Sequence, residues 1–149
     1  MKKYFKRAVE SDCKQLFDWT NEEEVRRNSF NSNEITFEEH KKWFKNKLDS
    51  DTCFLYLFYM NESPVGQVRV DIVDEEGIIS YSIDKKYRGK GLAIEMLKLL
   101  ETEIYIQNIN VKNLIGFVKI ENIASQKIFE KLQYSKQIVD NNLKYCKYI

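Results

Sequence analysis

Proline occurs once in this chain, at Pro64, and glycine only five times, at Gly66, Gly77, Gly89, Gly91 and Gly116. Pro-rich and Gly/Ser-rich linkers are therefore missing, no internal repeat divides the sequence, and residues 1-149 read as a single domain. Charge of one sign is missing as well, because 24 Lys and Arg stand against 23 Asp and Glu, a formal charge of +1. Without a net field, bulk attraction to nucleic acid or to an anionic membrane is excluded as the leading function. The three cysteines, Cys13, Cys53 and Cys146, are odd in number and widely spaced, form no C-x-x-C pair and have no histidine near them. A zinc site and a disulfide framework are both excluded by that pattern, so no metal is expected. No window approaches the roughly 18 apolar residues of a membrane span, and the basic start Met1 to Arg7 is not followed by an apolar run. A cytoplasmic protein with reduced thiols is expected.

What the chain does have is an ordinary globular balance of 43% apolar and 13% aromatic residues. At this length one core buries roughly 68–70% of the unfolded surface, so stability needs no cross-link. Tyr4 to Val9 reads as an opening strand, and Ser11-Asp12 caps a helix carrying Cys13, Leu16, Phe17 and Thr20 on one face. Asn21 to Ile35 is polar and reads as loop and broken helix. Thr36 and Glu39 form a capping box that opens a helix to about Leu48, with Phe37, Phe44 and Leu48 as its core stripe. Strands over Thr52 to Met60 and Val65 to Val73 make a hairpin, and a third runs from Ile78 to Ile83 after the turn Asp74 to Gly77. A helix from Gly91 to Gln107, a buried strand from Leu114 to Val118, and a helix capped by Asn122 with Ala124, Ile128 and Leu132 inward come next. A hairpin of Tyr134 to Val139 and Leu143 to Ile149 closes the chain. The order predicts an α/β fold, a mixed sheet with helices on both faces.

The chemistry is concentrated where the strand Ile78 to Ile83 runs through Asp84 to Lys90, basic and glycine-bearing, straight into a long amphipathic helix. The first amides of a helix lack intrahelical acceptors, the macrodipole is positive there, and glycine lets backbone approach a phosphate closely. Lys85, Lys86, Arg88 and Lys90 add charge at the same end. A P-loop is excluded because G-x-x-x-x-G-K-[ST] is not present, and a dinucleotide fingerprint because the third glycine of G-x-G-x-x-G is missing after Gly89-Lys90-Gly91.

Arg88-Gly89-Lys90-Gly91-Leu92-Ala93 does fit R/Q-x-x-G-x-G/A, and some thirty residues further on Asn122 to Tyr134 resembles N-x-x-[AS]-x-x-[FY]-E-K-x-G-[FY]. The pair of motifs, with strand before and helix after the first, resembles the Gcn5-related N-acetyltransferases, the GNAT superfamily, over nearly the whole chain. That resemblance implies a GNAT fold, a mostly antiparallel sheet of about seven strands, and acetyl-CoA as co-substrate. It implies that Ile78 to Ile83 splays from Leu114 to Val118 so that pantetheine enters the gap along Tyr81, Ser82 and Ile83. It places the pyrophosphate on the amides of Arg88, Gly89, Lys90, Gly91, Leu92 and Ala93, and sets Asn122 and Lys131 near the cofactor. Asn122 reads equally as a plain helix cap, and Lys131 as a solvated helix residue. Three departures from the pattern stand out: Phe129 where many members have a proton-donating Tyr, Ile78 where many have a basic Glu, and Gln133 where Gly is usual.

Acetyl transfer needs a neutral amine, a route for its proton and donors for the oxyanion. Gln67, Arg69 and Asp71 share one face of a central strand, either as an Arg69 to Asp71 ion pair or as groups facing substrate. His40 and Trp43 read as a partly exposed pair beside a polar loop, able to hold an acceptor, or His40 as a satisfied surface residue. Asp71, His40 and Tyr81 are the candidate catalytic residues nearest the motif, with water as the expected proton route. Phe17 to Asn21, Glu24 to Phe30 and Phe37 to Phe44 resemble GNAT enzymes that acetylate the 4-amino group of a UDP-linked amino sugar on the way to nonulosonic acids. On that resemblance Arg27, Asn28, Ser29, Phe30, His40 and Trp43 are acceptor-binding candidates. Ribosomal-protein N-terminal acetyltransferases show similar patterns, and a coenzyme A-binding module without catalysis is the reading from another class. The expected partner is a small-molecule amine, and the expected assembly a monomer or homodimer.

Overall fold

A computed structural model describes all residues 1–149. Chain order is β1 (Lys3–Arg7), α1 (Cys13–Thr20), α2 (Glu23–Asn28), α3 (Phe37–Leu48), β2 (Cys53–Met60), β3 (Ser63–Val73), β4 (Glu76–Ile83), α4 (Leu92–Ile106), β5 (Asn113–Val118), α5 (Ile123–Lys131), β6 (Ser135–Val139) and β7 (Asn142–Tyr148). All seven strands form one sheet in the order β1-β2-β3-β4-β5-β7-β6, antiparallel except for the parallel pair β4 and β5. The element order matches expectation, with α2 added inside the segment read as loop and broken helix.

β2 shows why its sequence does not alternate. Tyr56 and Phe58 enter the larger core with α4 and α5, while Leu55 and Leu57 enter a smaller one with Leu16, Trp19 and Phe44 of α1 and α3. A strand covered on both faces is apolar at every position. β3 does alternate: Val68 and Val70 join the larger core, and Gln67, Arg69 and Asp71 turn toward α3. The two-residue turns Asp74-Glu75 and Asp140-Asn141 both hold two successive positive φ angles, which match the right-handed twist of a hairpin.

Two expectations about helix faces need correction. Phe37 is 39% exposed, and α3 instead buries His40 with Phe44. On α5 the inward residues are Ser125, Phe129 and, just past its end, Leu132, while Ala124 is exposed. Each shift has a polar cause: the His40 ring and the Ser125 hydroxyl find partners inside and so are free to be buried. The Thr36 hydroxyl caps α3 by accepting from the Glu39 amide at 3.2 Å. Gln133, at φ +67°, holds a left-handed conformation that favours glycine.

The feature that matters for function is the short contact between β4 and β5. Pairing runs from Glu76–Asn113 to Ile79–Gly116 and then stops, while β4 continues to Ile83. Phe129 sits against Gly116, where a Cβ would meet ring carbons at 2.4 to 2.9 Å. Gly116→Ala is expected to cost about 1–3 kcal/mol by overpacking, read as a lowered thermal midpoint. Combining it with Phe129→Leu, which shortens the opposing side chain, recovers part of that loss.

Candidate active site

Beyond Ile79 the sheet opens into a cavity of about 1070 Å³ that reaches from the glycine loop, through the gap beside Ser80 to Ile83, to the face carrying α1, α2 and α3. A separate cavity of about 550 Å³ lies between β1, β2 and the end of α4 and contains none of the expected site residues.

The loop leaves the start of α4 open. Gly89 at φ +79° and Gly91 at φ +75° take left-handed backbone, and Gly91, as the residue before α4, supplies no side-chain cap. The first amides of this 15-residue helix are thus left for a ligand. Asp84 braces the turn, accepting from the Lys86 amide and from the Trp19 indole, both at 2.9 Å. Arg88 is held from three sides: its Nε donates to the Ile83 carbonyl at 2.9 Å, and its Nη1 meets Glu22 at 2.6 Å and also Glu24. Burial pushes the Glu22 carboxyl up, but Arg88 and two backbone amides outweigh this and hold it below its ordinary value.

The opposite wall is the segment from α2 to α3. Arg26 pins it, donating to the carbonyls of Thr20, Asn31 and Asn33 and to the Ser29 hydroxyl. The Asn21 side chain clasps the backbone of Ile35 in both directions, at 2.6 and 2.9 Å. Lys119, just beyond β5, donates to the Arg27 carbonyl at 3.0 Å and ties this wall to the far side of the gap.

The cavity gathers Tyr81, Ser82, Ile83, Arg88, Gly89, Gly91, Leu92, Ala93 and Asn122 of the expected cofactor residues. Lys90 is exposed with its ammonium over the Tyr87 ring, and Lys131 is exposed at the end of α5; neither lines the cavity. Asn122 does cap α5, accepting from the Ser125 amide at 3.2 Å, and lines the cavity as well, so both of its readings hold. Of the acceptor candidates Asn28, Ser29, Phe30, His40 and Trp43 line it, whereas Arg27 points outward to Glu24.

The candidate catalytic residues separate. Asp71 lies outside the cavity lining, and both of its oxygens are paired, with Lys47 at 2.8 Å and Arg69 at 2.7 Å. Burial raises its pKa, but the two cations more than offset that and keep it low, so it makes a poor base. His40 is only 3% exposed, against the expectation of a partly exposed ring. Its Nε2 lies 3.2 Å from the Cys13 carbonyl, an acceptor, so Nε2 carries the proton; Phe17, Trp43 and Phe44 surround the ring. Burial holds its pKa down despite that hydrogen bond. Tyr81 is different: its hydroxyl lies 2.6 Å from the Ser125 hydroxyl, and both residues line the cavity. Cys53 offers no nucleophile, since burial and then Asp71 push its thiol up to about 11.

Sequence reasoning missed Ser125, whose only signal was the [AS] position three residues after Asn122, and the carboxylates Glu22 and Glu24 on Arg88. Glu39 is also new. It is the cavity-lining carboxylate that forms no ion pair.

A family model described as an acetyltransferase (GNAT) domain matches residues 4–135. The chain belongs to the GNAT acetyltransferase family. As a member it is an acetyl-CoA-dependent N-acetyltransferase, and the mixed seven-stranded sheet is the fold expected of one. Among solved structures, a domain from Methanocaldococcus jannaschii is 20% identical with a TM-score of 0.85, covering 99% of each chain. An acetyltransferase from Salmonella typhimurium that modifies the N-terminal serine of a 50S ribosomal subunit protein is 15% identical at TM-score 0.82, covering 100% of this chain and 96% of its own. The aminoglycoside acetyltransferase AAC(6')-Ib, in complex with ribostamycin and coenzyme A, is 14% identical at TM-score 0.83, covering 99% of this chain and 94% of its own. No curated protein matches the sequence. No helix is long and apolar enough to cross a membrane, and no group of side chains is arranged to hold a metal ion.

His40 gives a pH test with a definite sign. Its folded pKa is depressed, so the stability it contributes is present above the unfolded value, about 6.5, and is lost as pH falls below that toward the folded value. His40→Phe, which keeps the aromatic packing, is expected to remove the fall in thermal midpoint between about pH 6.5 and pH 5. The same variant retains most of its acetyl transfer; complete loss of turnover with the fold intact would make His40 the base.

Proposed function

We propose that this enzyme acetylates the primary amine of a small polyhydroxylated molecule, an amino sugar or a close chemical relative, entering from the face of the sheet that carries α1 to α3. The observation that carries this reading is the lining of that end of the cavity: Asn28, Gln67, Ser80 and Ser82 supply hydroxyl and amide groups, and Trp43 and Phe30 supply aromatic surface. Neutral hydrogen-bonding groups interleaved with aromatic rings match a sugar, which is polar at its edge and apolar on its face. Glu39 offers the unpaired negative charge that draws an ammonium group.

Acetyl-CoA fits the remainder. The glycine loop and the uncapped start of α4 take the pyrophosphate, and the unpaired stretch Ser80 to Ile83 takes the pantetheine, whose amides are able to pair with a free strand edge. The amine nitrogen then forms a bond to the thioester carbon, the carbon–sulfur bond breaks, and the proton lost by nitrogen balances the one gained by sulfur. With Asp71 paired and His40 enclosed, water carries the proton away from nitrogen.

A UDP-linked amino sugar remains within this class, but its diphosphate needs a cation. The three arginines lining the cavity are committed: Arg26 to carbonyls, Arg69 to Asp71, and Arg88 to Glu22 and Glu24. A sugar without a phosphate is therefore the better fit.

Thiol release measured with free amino sugars, UDP-linked amino sugars and short peptides tests the acceptor. Turnover fastest with the free amino sugars is the expected order, and peptides outrunning all sugars would overturn it. Glu39→Gln is expected to raise the KM for the amine several-fold and leave that for acetyl-CoA unchanged.

For the cofactor half, a hundredfold excess of coenzyme A over Kd stabilises the fold by about 2.7 kcal/mol. Gly91→Val diminishes that shift. A Cβ there meets no protein atom, so the folding cost comes only from the left-handed φ, about 1–2 kcal/mol. A coenzyme A shift equal to that of the unaltered protein would remove the loop from the phosphate site.

A further inference from the structure

Phe129 is buried at 1% exposure with its ring against Gly116, and it brings no hydroxyl to the gap. A hydroxyl does stand beside it, supplied by another element. Tyr81 of β4 lies with its ring centroid 6.0 Å from that of Phe129, edge to face, and its hydroxyl meets Ser125 one turn earlier on α5 at 2.6 Å. We propose that Tyr81, aligned by Ser125, is the hydrogen-bond donor to the coenzyme A sulfur as the carbon–sulfur bond breaks. The proposal rests on pantetheine occupying the gap between β4 and β5.

Three observations converge on it. The first is position along the strand. Tyr81 is two residues past Ile79, the last residue of β4 paired to β5, and two residues short of Ile83, where the strand gives way to the glycine loop. From Ile83 to Ile79 an extended strand covers about 13 Å. A pantetheine arm anchored at the loop and running along this edge carries its sulfur toward the closed end of the gap, within reach of the Tyr81 side chain on the way.

The second is the face. Tyr81 is opposite Val68 and shares the α4 and α5 side of the sheet, whereas Gln67 with Ser82 and Arg69 with Ser80 turn to the side where the acceptor enters. Nucleophile and leaving-group donor thus approach the thioester from opposite faces, which keeps the amine clear of the hydroxyl pair. The third is the pair itself. Ser125 is 7% exposed, and a serine in the buried stripe of a helix costs stability unless it is hydrogen-bonded. Between two hydroxyls 2.6 Å apart, each able to donate and to accept, Ser125 donating to Tyr81 leaves the phenolic hydrogen free to point at sulfur. Burial pushes the Tyr81 pKa up to about 12, with Ser125 drawing it down by less, so the group keeps its proton over the working range. It acts as a donor and not as a base. The balance needs no further reactant: nitrogen releases one proton to water, the thiolate stabilised by the Tyr81 hydrogen bond takes one up from water, and Tyr81 keeps its own proton throughout.

The test is Tyr81→Phe, measured for both binding and turnover. Coenzyme A is expected to bind with Kd within about twofold of the unaltered protein, while kcat falls on the order of 10²-fold, the lower end for a positioned proton-transfer or donor group. Ser125→Ala is expected to lower kcat less, about tenfold, with the KM for acetyl-CoA unchanged. Tyr81→Phe combined with Phe129→Tyr, which returns a hydroxyl from the α5 side, is expected to recover part of the lost kcat, a recovery that no packing role for Tyr81 explains. Retained kcat in Tyr81→Phe overturns the donor role. Loss of coenzyme A binding in Tyr81→Phe, with the fold intact by circular dichroism, also overturns it, by making Tyr81 a cofactor-binding residue. If coenzyme A fails to bind even the unaltered protein, the fault lies with the cofactor reading itself.

Discussion

The structure turns on the contact between Phe129 and Gly116. β4 and β5 begin as a normal parallel pair, and the ring of Phe129 fills the place that a side chain at Gly116 would need, at the last rung of the pairing. Past this point each strand keeps only its outer neighbour, β3 on one side and β7 on the other. A buried strand edge of this kind costs free energy unless something pairs with it. The gap leaves a strand edge free, and the glycine loop, the hydroxyl pair and the segment from α2 to α3 are all arranged along it.

The two faces of the sheet divide the work. On the α4 and α5 side the packing is dense, with Met96, Leu97, Leu100 and Leu114 fully enclosed, and Tyr81 and Ser125 bring a hydroxyl pair to the gap. On the α1 to α3 side the core is small, six buried residues, and polar side chains reach the cavity from both strand and helix. A densely packed side and a smaller, more polar side follow from how apolar residues are apportioned between the faces of β2 and β3.

Much of this was legible in the sequence, and the part that was not has a common cause. The Arg88 to Ala93 turn could be read because glycines at left-handed positions and a capless helix start leave a pattern in single residues. The Asn122 to Tyr134 helix could be placed, but its face was displaced by one residue, since apolar periodicity counts Ala124 and Ile128 and is blind to a buried serine. His40 read as partly exposed for the same reason: its partner is a backbone carbonyl 27 residues away, which no local pattern reports. Asp71 was correctly set on one face with Arg69, but Lys47, which completes its neutralisation and keeps it from the chemistry, comes from another element. Propensity and spacing see a residue's own element; polar groups are placed by partners on others.

Arg88 joins regions that the sequence keeps far apart. Its guanidinium belongs to the loop at the mouth of α4, yet it is gripped by Glu22 and Glu24, at the start of the wall that faces the acceptor. One side chain thus fastens the glycine loop to the helices across the cavity, and a substitution at Arg88 is felt at both of its ends.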